Sequence, residues 1–226
     1  MSSGFAAGNR LGRMQGNDLT SGPLYLMIRH HVFDIGNVIL KFDFSLASAR
    51  VADRCELPEA ELLPAVQPMH ADLETGRMNA DEFIAEAMKR TGFNGKTEEL
   101  RHAFQDIFTV NDPIAELIEE LHAADHPLYL LSNTSDLHVP FFTREYAVFA
   151  RFHDAVYSHI AGVMKPDPEI FRIAAEQFSI DPAETVYLDD LPANVEAAAA
   201  AGFRALVYDY RDHEGFEASY RELVSD

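Results

Sequence analysis

Five side chains of the kind that handle metal ions and phosphate fall at the ends of apolar runs in this sequence. Asp34 closes Val32-Phe33 and is followed by Ile35-Gly36-Asn37-Val38. Ser132 follows Pro127 to Leu131, Asp189 and Asp190 follow Thr185 to Leu188, and Lys165 lies in the loop Gly162 to Pro168. Each has an ordinary explanation when taken singly. Asp34 could cap a loop, Ser132 could cap the next helix, Lys165 could be solvated, and an acid pair before a helix is favoured by the macrodipole alone. What these explanations leave unaccounted for is the shared placement. In an open α/β sheet the groups just past the carboxyl ends of the strands meet at one edge, where ligands bind.

Together the five would make a site for phosphoryl transfer. Asp34 and Asp190 offer hard oxygen ligands of the kind Mg²⁺ prefers, with water completing the shell. Such an ion lowers the repulsion between a carboxylate nucleophile and an anionic phosphate. The Ser132 hydroxyl, the Lys165 ammonium and the backbone N–H groups of Ile35 and Gly36 would hold phosphate oxygens. A carboxylate in that position can form an aspartyl-phosphate that water then hydrolyses.

The elements that must position these groups alternate. Short β-branched and aromatic runs at 32–40, 127–131, 155–158, 185–188 and 205–208 read as strands. Between the last four lie helices at 168–178, opened by Pro168, and at 191–201, closed by Gly202. A further helix at 111–121 returns the chain to the sheet. This predicts an α/β fold: a Rossmann-like parallel sheet with helices on both faces and right-handed crossovers. Residues 44–110 show helix signals only, and we read them as an inserted all-helical cap domain. Asn79-Ala80-Asp81-Glu82 has the pattern of a capping box, Thr91-Gly92 stops that helix, and Leu100, Phe104, Ile107 and Phe108 mark another. The catalytic core is then 27–43 plus 111–226. Residues 1–26, rich in Gly, Ser and Asn, read as a disordered leader, a cloning remnant or an over-long start, with Met27 opening the fold.

Composition sets the outer bounds. The chain has 226 residues, of which 47% are hydrophobic and 24% charged, ordinary values for a globular protein. Its net charge of −19 and pI near 4.8 argue against nucleic acid and anionic membranes as partners, since both demand a basic face. A small anionic substrate is compatible if a cation and a few donors make one locally positive pocket. Cys55 is the single cysteine, so no internal disulfide or thiolate metal cluster can form. A reducing, cytoplasmic compartment fits that usage. The oligomeric state is not encoded in any feature of the sequence.

Four ordered motifs between residue 30 and about 210 give the chain a specific resemblance. Asp34-Ile35-Gly36-Asn37-Val38, Leu130 to Thr134, Val163 to Pro168 and Val186 to Asn194 are similar to the four motifs of the haloacid dehalogenase-like hydrolase superfamily, most of whose members are phosphatases. The resemblance implies Asp34 as nucleophile, Ser132 and Lys165 as phosphate-handling groups, and Asp190 as the main ligand of Mg²⁺. It also implies Asp189 as an auxiliary ligand and the Gly36 carbonyl as a backbone one. Substrate contacts are expected from Ile35, Gly36 and Asn133, and from the cap residues His70 and Arg77 with Met78 beside them. The implied reaction is Mg²⁺-dependent hydrolysis of small phosphorylated metabolites, sugar phosphates among them.

One departure matters. Family phosphatases mostly carry a second Asp two residues after the nucleophile, as acid for the leaving group and then base for water; here that residue is Gly36. A branch similar to bacterial α-glucose-1-phosphate phosphatases shares the Asp-x-Gly-Asn-Val form. Asp43 is a candidate substitute donor. The competing readings are a metal-independent haloacid dehalogenase, against which the Asp189-Asp190 pair argues, and a receiver domain, which would carry its acid pair early in the chain. A binding or regulatory protein left catalytically weak by Gly36 is the third.

Overall fold

The computed structural model describes residues 28–225; the expected leader 1–26 and the start at Met27 lie outside the described residues. Seven strands run in chain order: β1 (His30–Phe33), β2 (Leu40–Phe42), β3 (Phe108–Val110), β4 (Leu128–Ser132), β5 (Asp154–Tyr157), β6 (Thr185–Asp189) and β7 (Arg204–Val207). Five of them form one parallel sheet in the order β5-β4-β1-β6-β7. The strand bearing the first motif is therefore central.

Helices cover both faces, so the strands read as continuous apolar runs rather than alternating ones. On one face Phe33, Leu130 and Leu188 pack with Ile114 and Ile118 of α6 (Asp112–Ala123) and Phe216 of α11 (His213–Ser225). On the other, Val32, Leu131 and Tyr187 pack with Ile170, Phe171 and Ala174 of α9 (Pro168–Phe178) and Ala198 of α10 (Pro192–Ala200). The small side chains of α10 let that helix lie close to β6 and β7. Among the described residues no helix is long and apolar enough to cross a membrane.

Between β2 and β3 the chain forms five short helices, α1 (Ser45–Val51), α2 (Glu59–Val66), α3 (His70–Glu74), α4 (Ala80–Thr91) and α5 (Thr97–Gln105). Helices of five to twelve residues are marginal alone; these share a core of Val51, Leu62, Val66, Leu73, Phe83, Ile84, Leu100 and Phe104. Leu137, from the loop after β4, is part of that cluster, so the helical unit is seated on the sheet domain by packing as well as by chain connection. The capping box opens α4: Asn79 accepts from the Glu82 N–H and Glu82 accepts from the Asn79 N–H, both at 2.9 Å. Gly92, at φ 65°, ends it.

The structure departs from the sequence reading at five places. The first apolar run is two strands rather than one: β1 stops at Phe33, and a turn intervenes before β2. Phe108, expected on a helix, lies in β3, which pairs antiparallel with β2 through Leu40–Val110 and Phe42–Phe108. Three-residue strands are too short to carry a period of two, so this ribbon, through which the chain enters and leaves the helical unit, had no visible signature. Ser158 starts α8 (Ser158–Ala161) instead of closing β5. Two helices were missed, α7 (Val139–Glu145), short and opened by Pro140, and the charge-rich α11.

Candidate active site

Strand register brings the motif residues level. Phe33 pairs with Leu130 on one side and Leu188 on the other, so Asp34 and Asp189 both stand one residue beyond that row. The Asp34 N–H donates to the Leu188 carbonyl at 2.8 Å, after which the chain leaves the sheet. The turn that follows is tight: the amides of Ile39 and Leu40 both donate to the Ile35 carbonyl, and Asn37 donates to Leu40. Asn37 takes φ 54°, the left-handed region that Asn tolerates better than most residues. That conformation aims its amide across the site, where Nδ2 donates to Asp190 Oδ2 at 3.0 Å. A Cβ on Gly36 would stand 3.1 Å from Cε1 of Phe42 and 3.9 Å from Asp34 Oδ2. The β2 ring thus occupies the space a side chain at 36 would need.

Lys165 is the hub. Its ammonium lies 2.8 Å from Asp34 Oδ1 and 2.6 Å from Asp189 Oδ2, and donates to the Leu131 carbonyl at 3.0 Å. That uses all three donors of the group. The loop that presents it is clamped by Asn133, whose Oδ1 accepts from the Lys165 N–H at 2.8 Å while Nδ2 donates to its carbonyl at 3.0 Å. Asn133, expected to touch substrate, also uses its side chain to place Lys165. Asp189, fully buried, accepts from Lys165, from the Tyr187 hydroxyl, from the Leu191 N–H at 2.9 Å and from Asn194 Nδ2 at 2.9 and 3.1 Å. Its oxygens are filled by protein donors, which suits it to holding Lys165 more than to ligating an ion. Asp34 and Asp190 keep free lone pairs.

One buried cation serves three neighbouring carboxylates, and the proton affinities follow. Burial, together with the charge of Asp189, pushes Asp34 up to about 6 despite its contact with Lys165. Asp190 is also raised, chiefly by burial, with the Asn37 hydrogen bond opposing. Burial disfavours the Lys165 charge, but Asp34 and Asp189 outweigh it and hold the ammonium above the ordinary lysine range. Burial also drives the Tyr187 phenol, which donates into Asp189, well above its usual value.

Carboxylate oxygens of Asp34, Asp189 and Asp190 lie within 4.8 Å of one another. The donors are hard, one buried cation faces three carboxylates, and Asp190 is oriented by Asn37 while burial, with the Asp189 charge, raises its pKa. This set fits Mg²⁺, which favours one or two carboxylates with water and substrate oxygens filling the remaining positions. The Gly36 carbonyl is not among the acceptors of its own turn.

Beside this edge lies a cleft of about 100 Å³, bounded below by Ile35, Gly36, Ser132, Asn133 and Thr134 and walled by Phe42, Phe44, Phe108, Phe142, His138 and Glu74. A smaller hollow of about 10 Å³ adjoins it beneath the helices and is lined in part by His70, Glu74, Ser135 and His138. His70 packs by Phe44 and Phe83, at the back of that hollow. Arg77 is not among the residues lining either space: it is ion-paired with Asp72 at 2.8 Å and largely exposed. Asp43 is exposed and accepts from the Ser45 N–H at 2.8 Å, turned to the start of α1 rather than to the cleft. Residues that sequence reasoning left without a role include Asn37, Tyr187, Asn194, Glu74 and His138. Asn37, Tyr187 and Asn194 lie inside the matched motifs and Glu74 lies beside the expected cap contacts Arg77 and Met78, which were usable signals; His138 had none.

A family model for the haloacid dehalogenase-like hydrolases matches residues 28–202. The D-ribitol-5-phosphate phosphatase of Bacteroides thetaiotaomicron is 30% identical over 189 residues, covering 78% of this chain and 90% of that one. A phosphatase of Mycobacterium tuberculosis is 27% identical over 207 residues, covering 86% of this chain and 93% of the other. Among solved structures, a haloacid dehalogenase family enzyme of Bacteroides thetaiotaomicron, crystallised with magnesium and inorganic phosphate, superposes with a TM-score of 0.69. It is 23% identical, over 80% of this chain and 93% of that one. The match of motifs, sheet order and sequence together is decisive: the chain belongs to the haloacid dehalogenase-like hydrolase family.

Proposed function

We propose that this protein is a Mg²⁺-dependent phosphatase of small phosphorylated metabolites, with Asp34 as nucleophile. The observation that carries the reading is the convergence of Asp34, Asp190 and Lys165, contributed by three separate strand ends and loops, at one buried edge beside a cleft. The similarity to the D-ribitol-5-phosphate phosphatase of Bacteroides thetaiotaomicron supports the same class of substrate.

In this reading Asp34 and Asp190 hold the ion, with the Gly36 carbonyl available as a third oxygen. When bound, the ion offsets the charge of the phosphate and of the two carboxylates. The chain's own groups do the rest. Lys165 fixes the Asp34 carboxylate through Oδ1 and leaves Oδ2 to attack phosphorus. The bond between phosphorus and the leaving oxygen breaks as the Asp34–phosphorus bond forms. The Ser132 hydroxyl and the amides of Ile35 and Gly36 line the place where phosphate oxygens would lie. Water then attacks phosphorus, the acyl-phosphate bond breaks, and Asp34 and orthophosphate are regenerated. Residues 44–110 act as the cap, limiting the size of the leaving group and excluding bulk water during the transfer. Four aromatic walls and a volume of about 100 Å³ suit a compact alcohol. A metal-free displacement of halide leaves the Asn37-oriented Asp190 carboxylate without a task, which is why the phosphatase reading is preferred.

The test is phosphate release from a panel of sugar, polyol and small-acid phosphates, with Mg²⁺ and with EDTA. We expect turnover with Mg²⁺, none with EDTA, and none in Asp34→Asn under either condition. EDTA-insensitive release of halide from a 2-haloacid, with no phosphate released from any ester, would overturn the reading.

A further inference from the structure

Cleaving an alkyl phosphate needs a proton for the departing oxygen, and hydrolysing the aspartyl-phosphate needs a group to take one from water. Gly36 can do neither, and the Phe42 ring packs within 3.1 Å of where a side chain there would begin. We propose that Glu74, from the helical unit, performs both transfers. This rests on the phosphatase reading above and assigns a residue to a step that the matched motifs leave unfilled.

Three observations lead to it. Glu74 and Gly36 line the same cleft, and among the residues lining it Glu74 carries the only carboxyl group. The other titratable candidates are committed elsewhere. His138 is buried, with Nε2 at 3.2 Å from the Phe104 carbonyl and Nδ1 at 3.3 Å from Ser135 Oγ, and burial holds its pKa down to about 4. Asp43 faces the Ser45 amide in solvent. Second, the turn that follows Glu74 is seated against the sheet domain. Glu74 ends α3, and the turn after it presses Gly76, at φ 69°, onto the sheet domain so closely that a Cβ there would lie 2.2 Å from the His159 carbonyl oxygen. The Ala80 N–H then donates to Asp136 Oδ2 at 3.0 Å. The backbone just after Glu74 is thus seated on the sheet domain, and the side chain lines the cleft from there.

Third, the group is prepared for proton exchange. Partial burial favours its protonated form, the charge of Lys165 opposes that from across the cleft, and no hydrogen bond contributes to either. A proton passes from the Glu74 carboxylic acid to the leaving alkoxide as the phosphorus–oxygen bond breaks. The resulting carboxylate takes a proton from water as the water oxygen bonds to phosphorus and the Asp34–phosphorus bond breaks. Glu74 is then protonated again, and the cycle closes with one ester and one water consumed.

The experiment compares wild type and Glu74→Gln on p-nitrophenyl phosphate, whose leaving phenolate needs no acid, and on benzyl phosphate, whose alkoxide does. Loss of general acid–base help is worth about 10²–10⁴-fold. For Glu74→Gln we expect a rapid burst of about one p-nitrophenolate per enzyme followed by a steady rate slowed by that factor, because formation of the aspartyl-phosphate survives and its hydrolysis does not. On benzyl phosphate both phases should be lost together. The burst also titrates folded, nucleophile-competent enzyme, so a folding defect shows as a reduced amplitude. Glu74→Ala, tested alongside, should reproduce the burst. Equal loss on both esters with no burst at full folded content, or an unchanged rate on benzyl phosphate, overturns the assignment. Failure of the wild type itself to release p-nitrophenolate with Mg²⁺ would instead overturn the phosphatase reading on which it rests.

Discussion

Replacing Asp34 with Asn should abolish turnover and at the same time make the metal-free protein more stable. Asp34 shares one buried cation with Asp189, and its pKa stands at about 6 against an ordinary 3.8. Burial is the main cause, the Asp189 charge adds to it, and the attraction of Lys165 is already netted in. A rise of about two units, at about 1.4 kcal/mol per unit, means that the ionised carboxylate destabilises the fold by about 3 kcal/mol at neutral pH. Asn has the same shape, can still accept from Lys165, and carries no charge. For a domain of this size about 3 kcal/mol corresponds to a rise in Tm of about 6–12 °C. The sign with pH is fixed. Because the folded value is raised, the wild type has its full stability below the unfolded value, near 3.8, and loses that contribution as pH climbs through about 6. The advantage of Asp34→Asn should therefore be large above neutrality and vanish toward pH 4. The assay is thermal unfolding of both proteins in EDTA across that range, with the difference between them as the readout. A variant less stable than wild type at neutral pH, or a gap that does not change with pH, would refute the account of three carboxylates competing for one lysine.

Other substitutions probe the same framework. Lys165→Met leaves Asp34 and Asp189 buried without their cation and should cost about 3–5 kcal/mol in urea unfolding with EDTA present, as well as all turnover. Tyr187→Phe removes a buried donor to the charged Asp189 and should cost about 1.5–3 kcal/mol in the same measurement; an effect near zero would mean that the hydroxyl does not bear on Asp189. Gly36→Asp introduces a carboxyl group beside the nucleophile at a position whose backbone does not require glycine, provided that the Phe42 ring yields by a few tenths of an ångström. Combined with Glu74→Gln, it should restore turnover of benzyl phosphate by about tenfold or more, read as the steady rate of phosphate release.

The sequence alone determined the fold class and named the polar residues that gather at one sheet edge. Buried strands between covering helices must be apolar throughout, so they stand out as runs, and the polar residue that ends each run is conspicuous against them. Register does the rest: once Phe33, Leu130 and Leu188 are level, Asp34 and Asp189 must be neighbours. The capping box at Asn79 and Glu82 was equally legible, because its partners are three residues apart. What only the tertiary structure decided is how those groups divide the work. Asn133 clamps Lys165 while lining the cleft, and Asp189 accepts from Tyr187, Asn194, Leu191 and Lys165. Arg77 went to Asp72, while its neighbour in the cap Glu74 came to line the cleft. The contacts of Lys165 with Asn133 and Asp189 join residues 32 and 24 positions apart, and that of Asn37 with Asp190 residues 153 apart; no local period encodes such distances, and even nearby partners, such as Asp72 for Arg77, are selected from several candidates by packing. A side chain's type is written in the sequence, but its partner is chosen by packing.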